Sequence, residues 1–327
     1  MIKVHCFVSC VCEVIKKASN VDHRPYYFGV WDADFDVLEG AVLSYHSERI
    51  DHDFFKNWYE LLYGIQLHQW YDEEQSKEEN VQRMLELIEN KPNYRHVMVM
   101  IDLSMLPERE NKFHQRPFPH YVMLDTTEKE DEWFMFDPDF RWKGVLPKDK
   151  ILGAIREPSV KGGYYFDADH ITPTSSETIE AYFKTCLKHH ENPMTDAVRF
   201  IVKEYTTGNE KHRLSELTTA LKQLPVLAIR KYAYEHAYAY FWELLGYEED
   251  DFEAWCDEIE LLVKGYTTVQ YRAMKLALTG NLEDAKGIYE KLDELDEREF
   301  TIKRGLQKCF DEWCQQREQR VLISSYY

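Results

Sequence analysis

Near Pro173 the hydrophobic pattern changes its period, and that change bounds every fold the chain can take. Before it, RHVMVMIDL, PHYVMLDT, EWFMFDP and GGYYFD are short runs of apolar and aromatic residues set off by turn residues, which reads as strands. Earlier still, DFFKNWYELLYG and NVQRMLELIEN repeat at helical spacing. Helices first and a sheet later describe an α+β domain over residues 1–172. From ITPTSSETIEAYF, where Ser or Thr can cap a helix, the spacing turns helical almost to the end, through DAVRFIVKEY, LTTALKQLPVLAIRKYAYEHAYAYFWELLG and DFEAWCDEIELLVKGY. Residues 173–327 therefore form a second, mostly α-helical domain, with Pro225 expected to break or kink one of its helices. At 327 residues the chain is long enough for each part to bury a core of its own.

Charge excludes one class of partner. Forty basic against 59 acidic residues leave a formal net charge of -19, a poor match for nucleic acid, whose phosphates need concentrated Lys and Arg. A cationic ligand fits better. Seven cysteines without a repeated spacing do not form a secreted disulfide framework, so a reducing cytoplasm is expected. Glu13 and Lys16-Lys17 interrupt the first apolar run, which rules against a signal peptide, and no stretch approaches the roughly 18 apolar residues of a membrane span.

Three of the cysteines crowd into VHCFVSCVC. Their C-x3-C-x-C spacing matches no zinc knuckle, and no later C-x-x-C completes one. WDADFDVLEG places Asp32, Asp34 and Asp36 like the start of a calcium loop, but Val37 stands where Gly is required and Leu43 where the bidentate Glu belongs. No metal is expected, and these acids read as flanks of a turn or as a face for a cation. Val8, Val11, Cys12 and Ile15, however, make a helical stripe. A helix beginning near Cys6 puts that residue at the positive, N–H-rich end, where a thiolate is favoured. Cys10 and Cys12, deeper in the helix, read as small core residues.

A nucleophile needs a base, and one hairpin offers it. If Thr127 to Glu130 form a four-residue turn, Thr126 pairs with Asp131 and His120 falls opposite Asp137. A carboxylate beside an imidazole holds its tautomer and stabilises the imidazolium, as in a nucleophile–base–acid triad. A slip of one residue would separate the two faces, with Asp139 as the fallback acid.

An N-terminal helix headed by Cys, a distant H-Y-V-x-L strand and a strand closing on D-P resemble the papain-like Cys-His-Asp architecture of bacteriocin-processing double-glycine peptidases. VHCFVSCVCEVI followed by RPYYFGVWDADFDV resembles more closely the BtrH-like acyltransferases of antibiotic and siderophore assembly, among them those of petrobactin assembly. The resemblance implies a papain-like cysteine-protease-type catalytic domain over 1–172 followed by the helical domain. It implies transfer of a 3,4-dihydroxybenzoyl group from the phosphopantetheine thioester of an aryl carrier protein to a primary amine of spermidine or a spermidine-citrate intermediate, with Cys6, His120 and Asp137 as the triad. The enzyme itself would bind no cofactor, and neither nucleic acid nor membrane would be a partner. One departure is that peptidases of this type carry an oxyanion-hole Gln several residues before the Cys, where this chain has only MIKVH. The N–H of Cys6 or Phe7 is the expected substitute.

On this reading Tyr26, Tyr27 and Trp31 stack on the aryl group, although core packing accounts for them equally well. Asp32, Asp34 and Asp36, or Glu248, Glu249, Asp250 and Asp251, would hold distal ammonium groups away from Cys6, because a carboxylate beside the attacking nitrogen keeps it protonated. Two alternatives stay open. The same triad serves a cysteine peptidase or thioesterase, and a non-catalytic carrier-protein-binding module would use Cys6 only as core.

Overall fold

A computed structural model describes residues 5–18, 21–109, 116–207 and 213–324. It is α+β, 58% helix and 14% strand, with the sheet in the N-terminal region and helices after it. The chain forms two compact units, one from residues 5–26 and 52–179, the other from 27–51 and the residues from 180 onward. Residues 27–51 thus group with the later helices, while the sequence on either side of them groups with the sheet. Their apolar content explains it: Tyr27, Phe28, Val30 and Trp31 are all buried. Among the described residues no helix is long and apolar enough to cross a membrane.

In the first unit, α1 (Cys6–Ala18) buries Phe7, Val8, Cys10, Val11 and Ile15 completely, the stripe that its sequence carries. Two further helices, α2 (Asp53–Tyr63) and α3 (Lys77–Glu89), start and stop on local signals. Gly64 ends α2 in the left-handed region, and Ser76 with Glu79 closes a capping box on α3. With the short hairpin β1 (Asp36–Leu38) and β2 (Val42–Ser44) counted to the second unit, the strands here are β3 (His68–Gln69), β4 (Arg95–Asp102), β5 (Pro119–Thr126), β6 (Glu132–Asp137), β7 (Trp142–Pro147) and β8 (Gly163–Asp167). They lie in the order β3-β8-β4-β5-β6-β7, antiparallel throughout. β4 is central and buried from Val97 to Asp102, as its unbroken apolar run requires. β6 alternates, with Trp133, Met135 and Asp137 inward. After β7, α4 (Lys148–Arg156) carries the chain to β8, where Trp70 fills the space a side chain at Gly163 would need.

The second unit holds α5 (Ser176–Cys186, begun in the first), α6 (Pro193–Thr206), α7 (Leu217–Ala220), α8 (Leu224–Ala228), α9 (Ala233–Leu245), α10 (Glu249–Thr279) and α11 (Asp284–Ser324). Pro225 breaks the helical run as expected, standing in the first turn of α8, where its missing N–H costs nothing. α10 and α11 pack closely enough that the space beside Gly265 is taken by Leu295. At the centre lies a buried ionic cluster. Lys231 reaches Asp32 and Glu299 at 2.6 Å each, and Lys303 reaches Asp32 and Asn192 at 3.0 Å and the Glu191 carbonyl at 2.6 Å. Tyr234 adds a hydrogen bond to Glu299 at 2.9 Å. Burial opposes the charge on Asp32, but the two ammonium groups outweigh it and hold its carboxyl below the usual range.

A cluster so fully matched is costly to break and cheap to replace whole. Lys231→Met should cost about 3–5 kcal/mol by leaving Asp32 and Glu299 short of a partner, seen as a fall in denaturant midpoint. Lys231→Met with Glu299→Leu should cost less than Lys231→Met alone. Equal or greater loss in the double variant would mean that the charges are stabilising beyond their desolvation.

Candidate active site

The site begins where α1 begins. The Ser9 N–H bonds the His5 carbonyl at 2.7 Å, so the N–H groups of Cys6, Phe7 and Val8 belong to the open first turn, at the positive end of the helix. Asp139 accepts hydrogen bonds there from the Ser9 hydroxyl at 2.9 Å and from the His5 backbone N–H. Cys6 is partly exposed, whereas Cys10 and Cys12 are buried and donate to the carbonyls of Tyr121 and His23 at 3.7 and 3.6 Å.

His120, near the start of β5, brings its Nε2 to 2.9 Å from Asp137 Oδ1, and the Cys6 side chain lies close enough to act on its ring electrostatically. Phe140 stacks on the imidazole with ring centroids 4.9 Å apart, and its N–H donates to Asp137 Oδ1 at 3.2 Å. Cys6, His120 and Asp137 thus meet, but by a register different from the expected one. Thr126 pairs with Trp133, two residues beyond Asp131. The turn is longer because Thr127 bridges to Lys129 and Glu132 through its hydroxyl, while the Asp131 carbonyl is taken by the Lys148 N–H at 2.8 Å. A shift of two preserves the face, so His120 and Asp137 become diagonal neighbours instead of opposed ones, still within side-chain reach.

The sequence reading missed Arg109. Its side chain is 6% exposed, with Nη2 at 2.9 Å from Asp137 Oδ2 and its guanidinium over the rings of Trp142 and Phe140 at 5.0 and 5.5 Å. Nothing local in PERE marks it, since its partner lies on a strand far along the chain. Burial works against a charged His120, yet the Asp137 carboxylate and the Cys6 sulfur overcome it and hold the imidazole well above its ordinary range. Asp137 is likewise penalised by burial, but His120 first and Arg109 next keep it below the usual carboxylate range. Burial pushes the Asp139 carboxyl up.

The other candidates have different surroundings. Tyr26 is buried in the first unit and donates to the Phe55 carbonyl at 2.7 Å. Tyr27 stacks on His236 at 3.8 Å and Trp31 on Tyr234 at 4.8 Å, so their faces are covered by the core of the second unit. These three are core side chains, the alternative that their aromatic character left open. Asp32 does grip ammonium groups, but those of Lys231 and Lys303. Asp36 pairs with Arg49 at 2.6 Å, and Asp34 is exposed, its carbonyl accepting from Arg230 at 2.9 Å. Glu248 to Asp251 are the exposed start of α10, where acids suit the helix dipole. Among the described residues no group of three or more His, Cys, Asp or Glu is arranged to hold a metal ion.

Residues 1–171 match the DUF6005 N-terminal domain, and residues 177–324 match the DUF6005 C-terminal domain. The chain belongs to the DUF6005 family. It is 50% identical over 312 residues to a petrobactin synthase of Bacillus anthracis, covering 95% of each chain. The resemblance to the proteins of petrobactin assembly is thereby borne out. In this DUF6005 protein Cys6, His120, Asp137 and Arg109 all lie in the N-terminal domain.

The raised His120 carries a stability signature. A group whose folded value lies above its unfolded one stabilises fully below the unfolded value, and the gain is lost as pH rises through the folded value. The denaturant-midpoint advantage of the native chain over His120→Gln should therefore shrink as pH rises above the ordinary histidine value of 6.5. A gap that widens over that range would reverse the assigned direction.

Proposed function

We propose that the chain is an amide-forming acyltransferase of petrobactin biosynthesis, moving a 3,4-dihydroxybenzoyl group from a carrier-protein thioester to a primary amine of spermidine or a spermidine-citrate intermediate. The observation that carries this reading is Cys6 at a helix N-terminus beside a His120 that Asp137 orients, near enough for the sulfur to favour the imidazolium. Half-identity over nearly the whole chain to a protein named petrobactin synthase supports the pathway. A cysteine-headed helix against an antiparallel sheet that bears the histidine supports a papain-like core.

In the proposed cycle Cys6 gives its proton to His120 and its sulfur attacks the thioester carbonyl. The bond to the phosphopantetheine sulfur breaks, His120 returns the proton to that leaving thiol, and an acyl-Cys6 remains. The N–H groups of the first helical turn supply oxyanion stabilisation. The amine then attacks, its proton passes to His120, and the amide leaves as the Cys6 thiol re-forms. Acylation itself prepares this second half. The sulfur of a thioester carries no charge, so one of the two supports of the imidazolium disappears when a neutral base is needed. Thioester aminolysis is downhill, so the step needs neither ATP nor a metal, and phosphopantetheine arrives on the carrier protein. The reaction belongs in the cytoplasm, with the aryl carrier protein and the polyamine as partners.

Intact-protein mass spectrometry after mixing with 3,4-dihydroxybenzoyl carrier protein tests the scheme. An aroyl adduct is expected on the native chain, absent from Cys6→Ala and discharged to an amide by spermidine. Continued amide formation without an adduct would replace the covalent step by direct transfer. Discharge to the free acid regardless of amine would favour a thioesterase, and no reaction of the thioester would favour a peptidase or a carrier-binding module. His120→Ala should lower the amide rate by about 10²–10⁴-fold while remaining folded.

A further inference from the structure

Arg109 brings a buried positive charge to a site whose chemistry, as proposed, uses only Cys6, His120 and Asp137. We propose that Arg109 is a positioning residue that sets the proton affinity of His120 by sharing the Asp137 carboxylate, so that the imidazole can give up its proton once Cys6 is acylated. The inference deepens the acyltransferase reading and rests on Cys6 and His120 being a reacting pair.

The two oxygens of Asp137 have divided duties. Oδ1 takes His120 Nε2 at 2.9 Å and the Phe140 N–H at 3.2 Å, and Oδ2 faces Arg109 Nη2 at 2.9 Å. Asp137 is fully buried, so its charge is poorly screened and would by itself hold His120 as imidazolium through the whole cycle. A guanidinium on the far oxygen draws part of that field away. The contact is one of charge more than of hydrogen bonding, because neither Asp137 Oδ2 nor Arg109 Nη1 has a well-aligned hydrogen-bond partner. A buried arginine kept with an unmatched nitrogen is costly, and the rings of Trp142 and Phe140 hold its plane in place.

Among the described residues, the charged and titratable groups facing His120 are Cys6 from α1, Asp137 at the end of β6 and Asp139 just beyond it, with Arg109 acting through Asp137. Burial favours the neutral form of Asp139. Removing Arg109 leaves Asp137 undivided, so the sign is fixed: the His120 midpoint must rise.

The test is a pH titration of the full chain by NMR with carbon-13-labelled histidine, His120 being assigned by its loss in His120→Gln. Arg109→Gln removes the charge while its amide can still donate to Asp137. It should raise the His120 midpoint by about one pH unit, a tenfold gain in proton affinity. It should also move the pH profile of amide formation upward by the same amount. Arg109→Lys keeps the charge but not the planar stack, and should restore the native midpoint. A folded Arg109→Gln with an unmoved or lowered midpoint overturns the proposal, as does an Arg109→Lys that titrates like Arg109→Gln. If Arg109→Gln does not fold, Arg109→Met repeats the measurement with an apolar neutral side chain. Cys6→Ala separates this inference from the reading beneath it. A His120 midpoint that fails to fall in that variant removes the Cys6–His120 pair itself, whatever the Arg109 variants do.

Discussion

The seating of α1 on the sheet is the constraint from which the site follows. Its buried side chains, worth about 1.5–3 kcal/mol each, fix the helix against the core but not its rotation to the last ångström. Two polar tethers do that. Behind Cys6, the Cys10 thiol donates to the Tyr121 carbonyl, next in sequence to His120. Ahead of it, Asp139 binds the His5 N–H and the Ser9 hydroxyl. Cys6 is thus bracketed by contacts to the same strand pair that carries His120 and Asp137, and the sulfur and the imidazole meet without help from any longer loop.

Among the described residues two clusters of buried charge stand out, and their differences track what each can do. Around Asp32 every charge is matched and every side chain is closed off, with Lys303 spending all three of its N–H groups. Such a cluster can hold a structure together but has nothing left to offer a ligand. Around Asp137 the charges form a line from Arg109 to Cys6 whose last member is partly exposed. Changing the charge at that open end alters the balance along the whole line, which makes it suited to moving a proton.

Side-chain parity made the centre of the site legible. His120 and Asp137 share a face in any register that differs by an even number, so the wrong pairing still brought the right residues together. Cys6 was legible because the stripe from Val8 to Ile15 fixes where the helix lies, and a helix start is a local property. Arg109 was not, because its meaning depends on a carboxylate brought to it by tertiary folding. The roles of Tyr27, Trp31 and Asp32 were ambiguous for a similar reason. Aromatic rings and acids look alike whether they meet a ligand or His236, Tyr234 and Lys231, and the segment that bears them crosses into the other unit. β7 and α4 were passed over because WKGVLP alternates with Lys and Gly, a weak signal until β6 supplies the pairing.

The covered acids also change what the net charge of -19 can mean for a cationic acceptor. Asp32 and Asp36 are already paired within the chain, so attraction of a polyamine falls to exposed acids such as Asp34 and the start of α10. Exposed charges act at long range and are screened, with a Debye length of about 10 Å at 0.1 M salt and about 3 Å at 1 M. They raise the encounter rate more than they orient a bound amine. On the acyltransferase reading, orientation must then come from the residues around Cys6. There a nearby carboxylate would keep the attacking nitrogen protonated, and Asp137, turned inward and fully buried, is kept from doing so by His120 on one side and Arg109 on the other.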